Sequence, residues 1–145
     1  MEVDPGSPIE IVPASHRDRE AVVELWHACN LVVPHNPPHA DFDLALGRPG
    51  SDVLVAHLDG SIIGSVMVGH DGHRGWMYYL AVAPNLQGAG IGRLLVTTAE
   101  RWLRDRGIRK CQLMVRESNL KVIGFYEAVG YEKSPVVVMQ RWLDR

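Results

Sequence analysis

The feature that most restricts the fold is a glycine-rich loop between a strand-like run and a long helix-like run. The loop reads Gln87-Gly88-Ala89-Gly90-Ile91-Gly92. Before it, Trp76 to Val82 is typical of a strand, and after it apolar residues recur at helical spacing from Ile91 to Leu103. Glycines at such a junction let backbone N–H groups converge on an anion at the positive end of the helix. The segment predicts a phosphate-binding cradle, with a flexible glycine turn as the competing interpretation.

The glycine spacing argues against two other phosphate sites. No Lys-Ser or Lys-Thr pair follows the glycines, and the G-x-G-x-x-G spacing of dinucleotide folds is absent. A nucleotide-binding domain that prefers ATP or NAD is therefore a disfavoured alternative.

The remaining pattern predicts strands and helices in an order typical of an α/β chain with a largely antiparallel sheet. The predicted strands are Ile9–Val12, Val53–His57, Ile62–Val68, Trp76–Val82, Cys111–Val115 and Val136–Met139. The predicted helices run from a capping box at Ser15–Asp18 to about Asn30, over Asp41–Leu46, from Ile91 to Leu103 and from Ser118 or Asn119 to Val129.

Length and composition indicate one ordinary globular domain. The chain has 145 residues, of which 46% are hydrophobic, and a formal net charge of −2. We therefore expect a single domain over residues 1–145, with residues 1–8 as a flexible lead. The balanced charge predicts no general attraction to nucleic acid or to a membrane surface. Two distant cysteines, no signal peptide and no long apolar run together predict a cytoplasmic protein.

The loop and its surroundings resemble the GNAT family of acetyl-CoA-dependent N-acetyltransferases. Residues 87–92 look like the family's Gln/Arg-x-x-Gly-x-Gly/Ala signature. Asn119, Tyr126 and Gly130-Tyr131 are similar to its closing Asn…Tyr…Gly-Phe/Tyr pattern, and the order of elements agrees from Ile9 to Met139. The resemblance implies a GNAT-like α/β (α+β) fold, a mixed, largely antiparallel central sheet flanked by helices.

The resemblance also implies a site for acetyl-CoA. The pyrophosphate of coenzyme A would rest on the amides of the glycine-rich loop and beside Arg93, and the pantetheine arm would pair with strand residues 80 to 82. The expected cofactor-binding residues are Leu80, Ala81, Val82, Gln87, Gly88, Ala89, Gly90, Ile91, Gly92, Arg93, Asn119 and Tyr126. From the residues alone, Asn119 is equally a helix cap and Tyr126 a core tyrosine.

Two catalytic roles follow from the resemblance. Tyr126 is the expected general acid, which protonates the departing thiolate of coenzyme A. The backbone N–H of Val82, freed by a local strand bulge, is the expected oxyanion donor. The implied reaction moves an acetyl group to a primary amine by direct attack through a tetrahedral intermediate. Neither Cys29 nor Cys111 lies in a motif with a histidine, so no covalent enzyme intermediate is expected.

The chain departs from the family at the group that accepts the proton of the amine. Trp76 and Met114 stand where many members have a glutamate. Candidates for the base or for substrate contacts are His70, Asp71, His73, Tyr79 and Glu117. The missing glutamate keeps open a second hypothesis, a catalytically silent coenzyme A-binding sensor or regulatory module.

The sequence does not determine the identity of the acceptor. Asp41, Asp43 and Asp71 would hold a cation, whereas Arg48 and Arg74 would hold a carboxylate. A small-molecule amine (an amino acid, a polyamine or an antibiotic-like amine) and a protein or peptide amine are all compatible with these charges.

Neither a metal nor a fixed oligomeric state follows from the residues. Four histidines, His35, His39, His70 and His73, could in principle bind a metal ion. Pro37 and Pro38 break the helix that would bring His35 and His39 onto one face, so no metal site is predicted. The apolar run from Val136 to Met139, followed by Trp142, is compatible with an edge strand that pairs with a second subunit. The run is equally compatible with a strand that stays within one chain, and a homodimer is an expectation that comes from the family resemblance.

Overall fold

The computed structural model describes residues 8–145, so the predicted flexible lead lies outside the described residues except for Pro8. They divide into two compact units, one ending at Leu113 and the other starting at Met114. The first unit contains β1 (Glu10–Pro13), α1 (Arg19–Ala28), α2 (Pro38–Ala45), β2 (Ser51–Leu58), β3 (Ser61–His70), β4 (Gly75–Val82), α3 (Ile91–Asp105) and β5 (Cys111–Gln112). The second contains α4 (Leu120–Ala128). The single domain over residues 1–145 stays a prediction.

The five strands form one mixed sheet in the order β1-β2-β3-β4-β5. The first three pairings are antiparallel, and β4 pairs with β5 in parallel. Asp59 and Gly60 join β2 to β3 with φ angles of 50° and 79°, and positive φ at both central residues is what a type I′ hairpin turn needs. The predicted α/β fold class with a largely antiparallel sheet is confirmed.

Short-range signals fix the ends of the helices. The Ser15 backbone N–H donates to the Asp18 carboxylate at 2.8 Å, so the predicted capping box precedes α1. Gly107 and Gly130 follow α3 and α4 with φ angles of 77° and 102°. Both glycines adopt the left-handed conformation that ends a helix without a Cβ clash.

Helices cover both faces of the sheet. On one face, Trp26 of α1 and Phe42 of α2 are fully buried against Val53 and Val55 of β2. On the other face, α3 approaches β3 so closely that a Cβ at Gly64 would lie 2.9 Å from the Leu95 side chain. Burial of these apolar faces is the main source of stability of the first unit.

Two predicted elements have a boundary that is wrong by three residues, and one predicted strand is absent from the described residues. Helix α2 begins at Pro38, before the predicted Asp41, because proline is well suited to the first turn of a helix. Strand β5 ends at Gln112 and not at Val115, because its ladder with β4 stops at the pair Trp76 and Gln112.

The third error is the predicted strand Val136–Met139. No described residue from 131 to 145 belongs to a helix or strand, and Val137 and Met139 are 86% and 90% exposed. An apolar run supplies β propensity, but a strand also needs a partner ladder, which is absent here among the described residues. The homodimer expected from the family resemblance stays a prediction.

Candidate active site

The glycine-rich loop is an open turn that leads directly into α3. A short 3-10 turn, Pro84–Leu86, follows β4, and Leu86 is buried beneath it. Gly88 and Gly90 have φ angles of 85° and 86°, and an added Cβ at either would meet no atom within 4 Å. Only glycine adopts this conformation routinely. The backbone of the exposed loop is therefore accessible at the N-terminus of a helix of 15 residues, which suits a phosphate.

The last residue of β4 turns its peptide groups away from β3. The Ala83 N–H donates to the Ile63 carbonyl at 2.8 Å, so by strand alternation the N–H and C=O of Val82 face the opposite edge. The Val82 carbonyl accepts hydrogen bonds from Cys29 Sγ at 3.2 Å and from Gln87 Nε2 at 3.1 Å. These two donors hold the Val82 carbonyl in one orientation.

Cys29 acts as a hydrogen-bond donor at this position. Burial raises the pKa of its thiol, and the hydrogen bond to the Val82 carbonyl offsets that effect only in part. A thiol that keeps its proton is a weak nucleophile. This agrees with the expectation that no covalent enzyme intermediate forms.

A bulge interrupts β4 three residues before Val82. Ser65 pairs with Ala81, whereas Met67 pairs with Tyr78, so β4 has one more residue than β3 over this interval. Tyr79 has a φ angle of 52°, which is costly for a residue with a Cβ and persists only where surrounding contacts enforce it. The expected bulge is therefore present, at Tyr79 and Leu80. Since β5 pairs only with Gly75 and Trp76, no ladder of the described residues covers the outer edge of β4 from residue 77 to residue 82.

Three side chains support the bulge from the α1 side. The Trp26 indole N–H donates to Ser65 Oγ at 2.9 Å, and the Ser65 hydroxyl donates to the Tyr79 carbonyl at 3.2 Å. The Tyr79 ring stacks on the Trp26 ring with centroids 3.9 Å apart. Trp26 and Ser65 are fully buried, where water does not reach them. Each hydrogen bond therefore replaces one that the same group makes with water in the unfolded chain.

The phenol of Tyr79 reaches α2. It donates to the Asp41 carboxylate at 2.7 Å. Burial, this hydrogen bond and the charge of Asp41 together raise the pKa of Tyr79 far above its usual value. A phenol that keeps its proton so firmly is a poor proton acceptor, so Tyr79 is better suited to hold Asp41 than to act as the base.

The turn between β3 and β4 is organised around Asp71. One oxygen of its carboxylate accepts from the N–H groups of His73 at 2.9 Å and Arg74 at 2.7 Å. The other accepts from the Trp76 indole N–H at 3.3 Å. These three hydrogen bonds, that of Arg74 first, lower the pKa of Asp71. The His70 ring accepts from the Gly72 N–H through Nδ1 at 3.0 Å, so that nitrogen is occupied.

The other charges proposed for the acceptor have local partners. Asp43 accepts from Arg19 at 2.9 Å. The Arg48 guanidinium donates to the carbonyls of Leu44 and Asp43 at 3.2 and 3.4 Å.

The second unit carries the closing motif. Asn119 caps α4, where its Oδ1 accepts from the Val122 N–H at 3.3 Å. Tyr126 is 8% exposed, and its ring makes edge-to-face contacts with Phe125 and Tyr131 at 5.1 and 5.6 Å. The Tyr131 N–H donates to the Tyr126 carbonyl at 2.9 Å, so the Gly130-Tyr131 pair fixes the end of α4. Glu117 is exposed just before the helix.

Sequence reasoning missed the groups that support the site. Ser65 is the one polar residue in the apolar stretch Ile62–Val68, a signal that could have identified a buried hydroxyl with a structural task. Cys29 and the side chain of Gln87 act through the Val82 carbonyl, and nothing in the spacing of residues 29, 82 and 87 indicates that contact.

The described residues contain neither a membrane-spanning helix nor a metal-binding cluster. From residue 8 onward, no helix combines the length and apolarity that a membrane crossing requires. Over the same range, no group of three His, Cys, Asp or Glu side chains is arranged to hold a metal ion.

Comparison with known proteins identifies the family. The sequence profile of the acetyltransferase (GNAT) family matches residues 19–131. An acetyltransferase of Pectobacterium atrosepticum is 44% identical over 126 residues, which cover 87% of this chain and 89% of that protein. An acetyltransferase of Yersinia enterocolitica is 41% identical over 135 residues, or 93% of this chain and 96% of that protein.

Solved structures agree on the fold. An aminoglycoside N-acetyltransferase, AAC(6')-Iy in complex with coenzyme A, superposes with a TM-score of 0.81 at 21% identity, covering 98% of this chain and 99% of that one. The ribosomal-protein-S18-alanine N-acetyltransferase of Escherichia coli gives 0.75 at 20% identity, covering 88% and 79%. The predicted family, GNAT-like fold and acetyltransferase class are confirmed, and acetyl-CoA is the cofactor that this assignment supports. The chain belongs to the GNAT family of acetyltransferases.

Proposed function

We propose that this acetyltransferase moves the acetyl group of acetyl-CoA to a primary amine by direct attack. The observation that carries the proposal is the end of β4, where a bulge and an outward-facing Val82 amide stand directly before the glycine-rich cradle. The cradle accounts for binding of a phosphorylated donor, and the Val82 amide accounts for polarisation of its thioester.

The residues present fit coenzyme A. The loop from Gln87 to Gly90 is exposed and carries no side chain at Gly88 and Gly90, so its amides and those at the start of α3 are available to a pyrophosphate. Arg93 is exposed one turn into the helix and adds a positive charge. Leu80 to Val82 provide the unpaired strand edge that a pantetheine arm would extend.

The chemistry assigned to the chain is stabilisation of charge and transfer of one proton. As the amine nitrogen bonds to the acetyl carbon, negative charge grows on the acetyl oxygen, and the Val82 N–H donates to it. The C–S bond then breaks, and Tyr126 donates its phenolic proton to the leaving thiolate. The amine loses its proton to solvent water, since Trp76 and Met114 offer no carboxylate.

The first test is ligand-dependent stability. Melting of the full chain is followed with acetyl-CoA, coenzyme A, ATP and NAD in turn. A ligand at about one hundred times its Kd adds about 2.7 kcal/mol, which raises the Tm by several degrees. Shifts with the two coenzyme A species alone are expected. Their absence, or equal shifts with ATP, would remove the donor assignment.

The second test separates an enzyme from a silent binding module. Release of coenzyme A thiol is measured over a panel of primary amines for the wild type and for Tyr126→Phe, with Tyr131→Phe as the matched aromatic control. Tyr126→Phe keeps the aromatic ring and removes only the hydroxyl, so we expect it to lower kcat by about a hundredfold, the usual scale of general acid catalysis, with a much smaller change in the Kd for coenzyme A. Coenzyme A binding without thiol release from any amine would favour the silent module.

A further inference from the structure

A cleft of about 390 Å³ opens on the α1 side of the sheet, beside the turn between β3 and β4. The aromatic residues Trp76 and Tyr78 line it together with Met67, Gly69 and Gly50–Ser51. Tyr78 is 44% exposed although it is a large aromatic residue. Aromatic surface left open in a concave site is typical of a ligand pocket.

Gly69 places no side chain in the part of the cleft between Ser51 and Trp76. Gly69 pairs with Ser51 on one side and with Trp76 on the other. A Cβ at Gly69 would come 3.0 Å from the Gly50 carbonyl oxygen, so a side chain there would push the neighbouring backbone away. The aromatic rings therefore stand beside a floor of backbone, which leaves room for the body of a ligand.

The cleft carries one negative charge. The Asp71 carboxylate lies at its rim, and the hydrogen bond from the Trp76 indole ties it to the aromatic wall at 3.3 Å. Two nearby arginines are held by local carbonyls, because Arg48 donates to those of Leu44 and Asp43 and Arg74 to that of His73 at 3.3 Å. His70 also lines the cleft, and its Nδ1 accepts from the Gly72 N–H. An anion beside aromatic rings favours a cation with an apolar body.

The cleft adjoins the reaction centre of the proposed function. Tyr78, in its wall, directly precedes Tyr79 at the bulge. Trp26 covers the face of the sheet at Ser65, so the way from the cleft to the bulge runs along the outer edge of β4, which no ladder of the described residues covers from residue 77 to residue 82. A ligand in the cleft can extend one end along this edge while its other end stays near Asp71.

We propose that this cleft binds the acceptor, and that the acceptor is an apolar amine with a second cationic group that pairs with Asp71. The inference rests on the proposed acetyl transfer and deepens it by naming the substrate class, a diamine-like compound. Trp76 and Tyr78 pack against its apolar body, and the amine nearer the bulge is the one acetylated.

Three acceptors that share a six-carbon chain test the charge preference. Hexylamine, 1,6-diaminohexane and 6-aminohexanoate differ only in a neutral, positive or negative far end. With acetyl-CoA, we expect the kcat/KM of the wild type to be highest for the diamine and lowest for the amino acid. Asp71→Asn keeps an oxygen that can accept from His73 and Arg74, and we expect it to lower the kcat/KM for the diamine about fivefold more than that for hexylamine, the scale of one exposed ion pair.

Asp59→Asn is the matched control. It removes the same charge from the other hairpin turn and suits the positive φ of that position. We expect it to preserve the wild-type order of the three amines. Loss of the diamine preference in both variants would show a general effect of net charge and overturn the assignment to Asp71.

A binding measurement keeps this inference separate from catalysis. The Trp76 indole N–H resonance, assigned by its loss in Trp76→Phe, is followed while 1,6-diaminohexane is added to the full chain. A shift in the wild type that weakens in Asp71→Asn supports the cleft even if no amine is acetylated, in which case the proposed function alone fails. An unmoved Trp76 resonance overturns the cleft, also when amines are acetylated.

Discussion

The hydroxyl of Ser65 donates to the carbonyl oxygen of Tyr79 at 3.2 Å, on the strand residue whose φ angle is 52°. The same hydroxyl accepts from the Trp26 indole at 2.9 Å. A fully buried serine thus joins α1 to the bulge that precedes Val82.

Removal of this hydroxyl tests its importance. Ser65→Ala leaves a buried indole N–H and a buried carbonyl without their partner, which costs about 1–3 kcal/mol. Urea denaturation should show a loss of this size, and Ser61→Ala at the start of the same strand should show much less. Equal stability of the Ser65→Ala variant and the wild type would mean that the two groups find other partners.

Two glycines at opposite ends of α3 allow the effect of backbone strain on stability to be distinguished from an effect on coenzyme A binding. Gly90→Ala and Gly107→Ala each place a Cβ on a left-handed residue, with φ angles of 86° and 77° and open space around it, so each should cost about 1–2 kcal/mol of stability. We expect only Gly90→Ala to weaken coenzyme A binding, by about tenfold if the loop gives up roughly 1.4 kcal/mol of contact. Calorimetric titration measures both variants. Equal Kd values would place the phosphate elsewhere.

Two other glycines should respond to alanine in opposite directions, because one is closely packed and the other lies in a helix with open space around it. A Cβ at Gly64 would lie 2.9 Å from Leu95 and 3.2 Å from the Ala81 carbonyl oxygen, so Gly64→Ala should destabilise by about 1–3 kcal/mol. Gly124 lies inside α4 with nothing within 4 Å of an added Cβ, so Gly124→Ala should stabilise by about 0.5–1 kcal/mol. Chemical denaturation of the two variants gives the signs.

We expect one tyrosine, Tyr79, to resist ionisation when the protein is titrated to alkaline pH. Its folded pKa lies above the unfolded value of about 10, so its contribution to stability is complete below pH 10 and is lost as the pH rises beyond that value. Absorbance at 295 nm should show one tyrosine that ionises only near alkaline unfolding. Tyr79→Phe should remove this step, and Asp41→Asn should move it to lower pH. Normal ionisation of all four tyrosines would contradict the hydrogen bond to Asp41.

Much of the architecture was predictable because it depends on local chemistry. The Asp59-Gly60 turn fixes the β2–β3 hairpin, the Ser15–Asp18 box fixes the start of α1, and the position of Gly107 ends α3. Each signal acts within a few residues through backbone sterics or hydrogen bonds, so no knowledge of the tertiary fold was needed.

The wrong predictions concern two strands. Val136–Met139 has strand propensity but no ladder among the described residues, because propensity supplies only part of what a strand requires. Cys111–Val115 was predicted at full length, but the parallel pairing ends after two residues. Both depend on which backbone lies alongside, and spacing along one chain does not specify that.

The sequence by itself determined the order of elements as far as α4 and the glycine turn before α3, because these follow from periodicity and from glycine positions within continuous segments. The family followed from the resemblance of its motifs. Only the tertiary structure decided that Cys29 and Gln87 hold the Val82 carbonyl, that Ser65 supports the bulge and that Asp71 stands beside Trp76. The reason is physical. A hydrogen bond depends on distances of about 3 Å between groups that, for Cys29 and Val82, lie more than fifty residues apart along the chain.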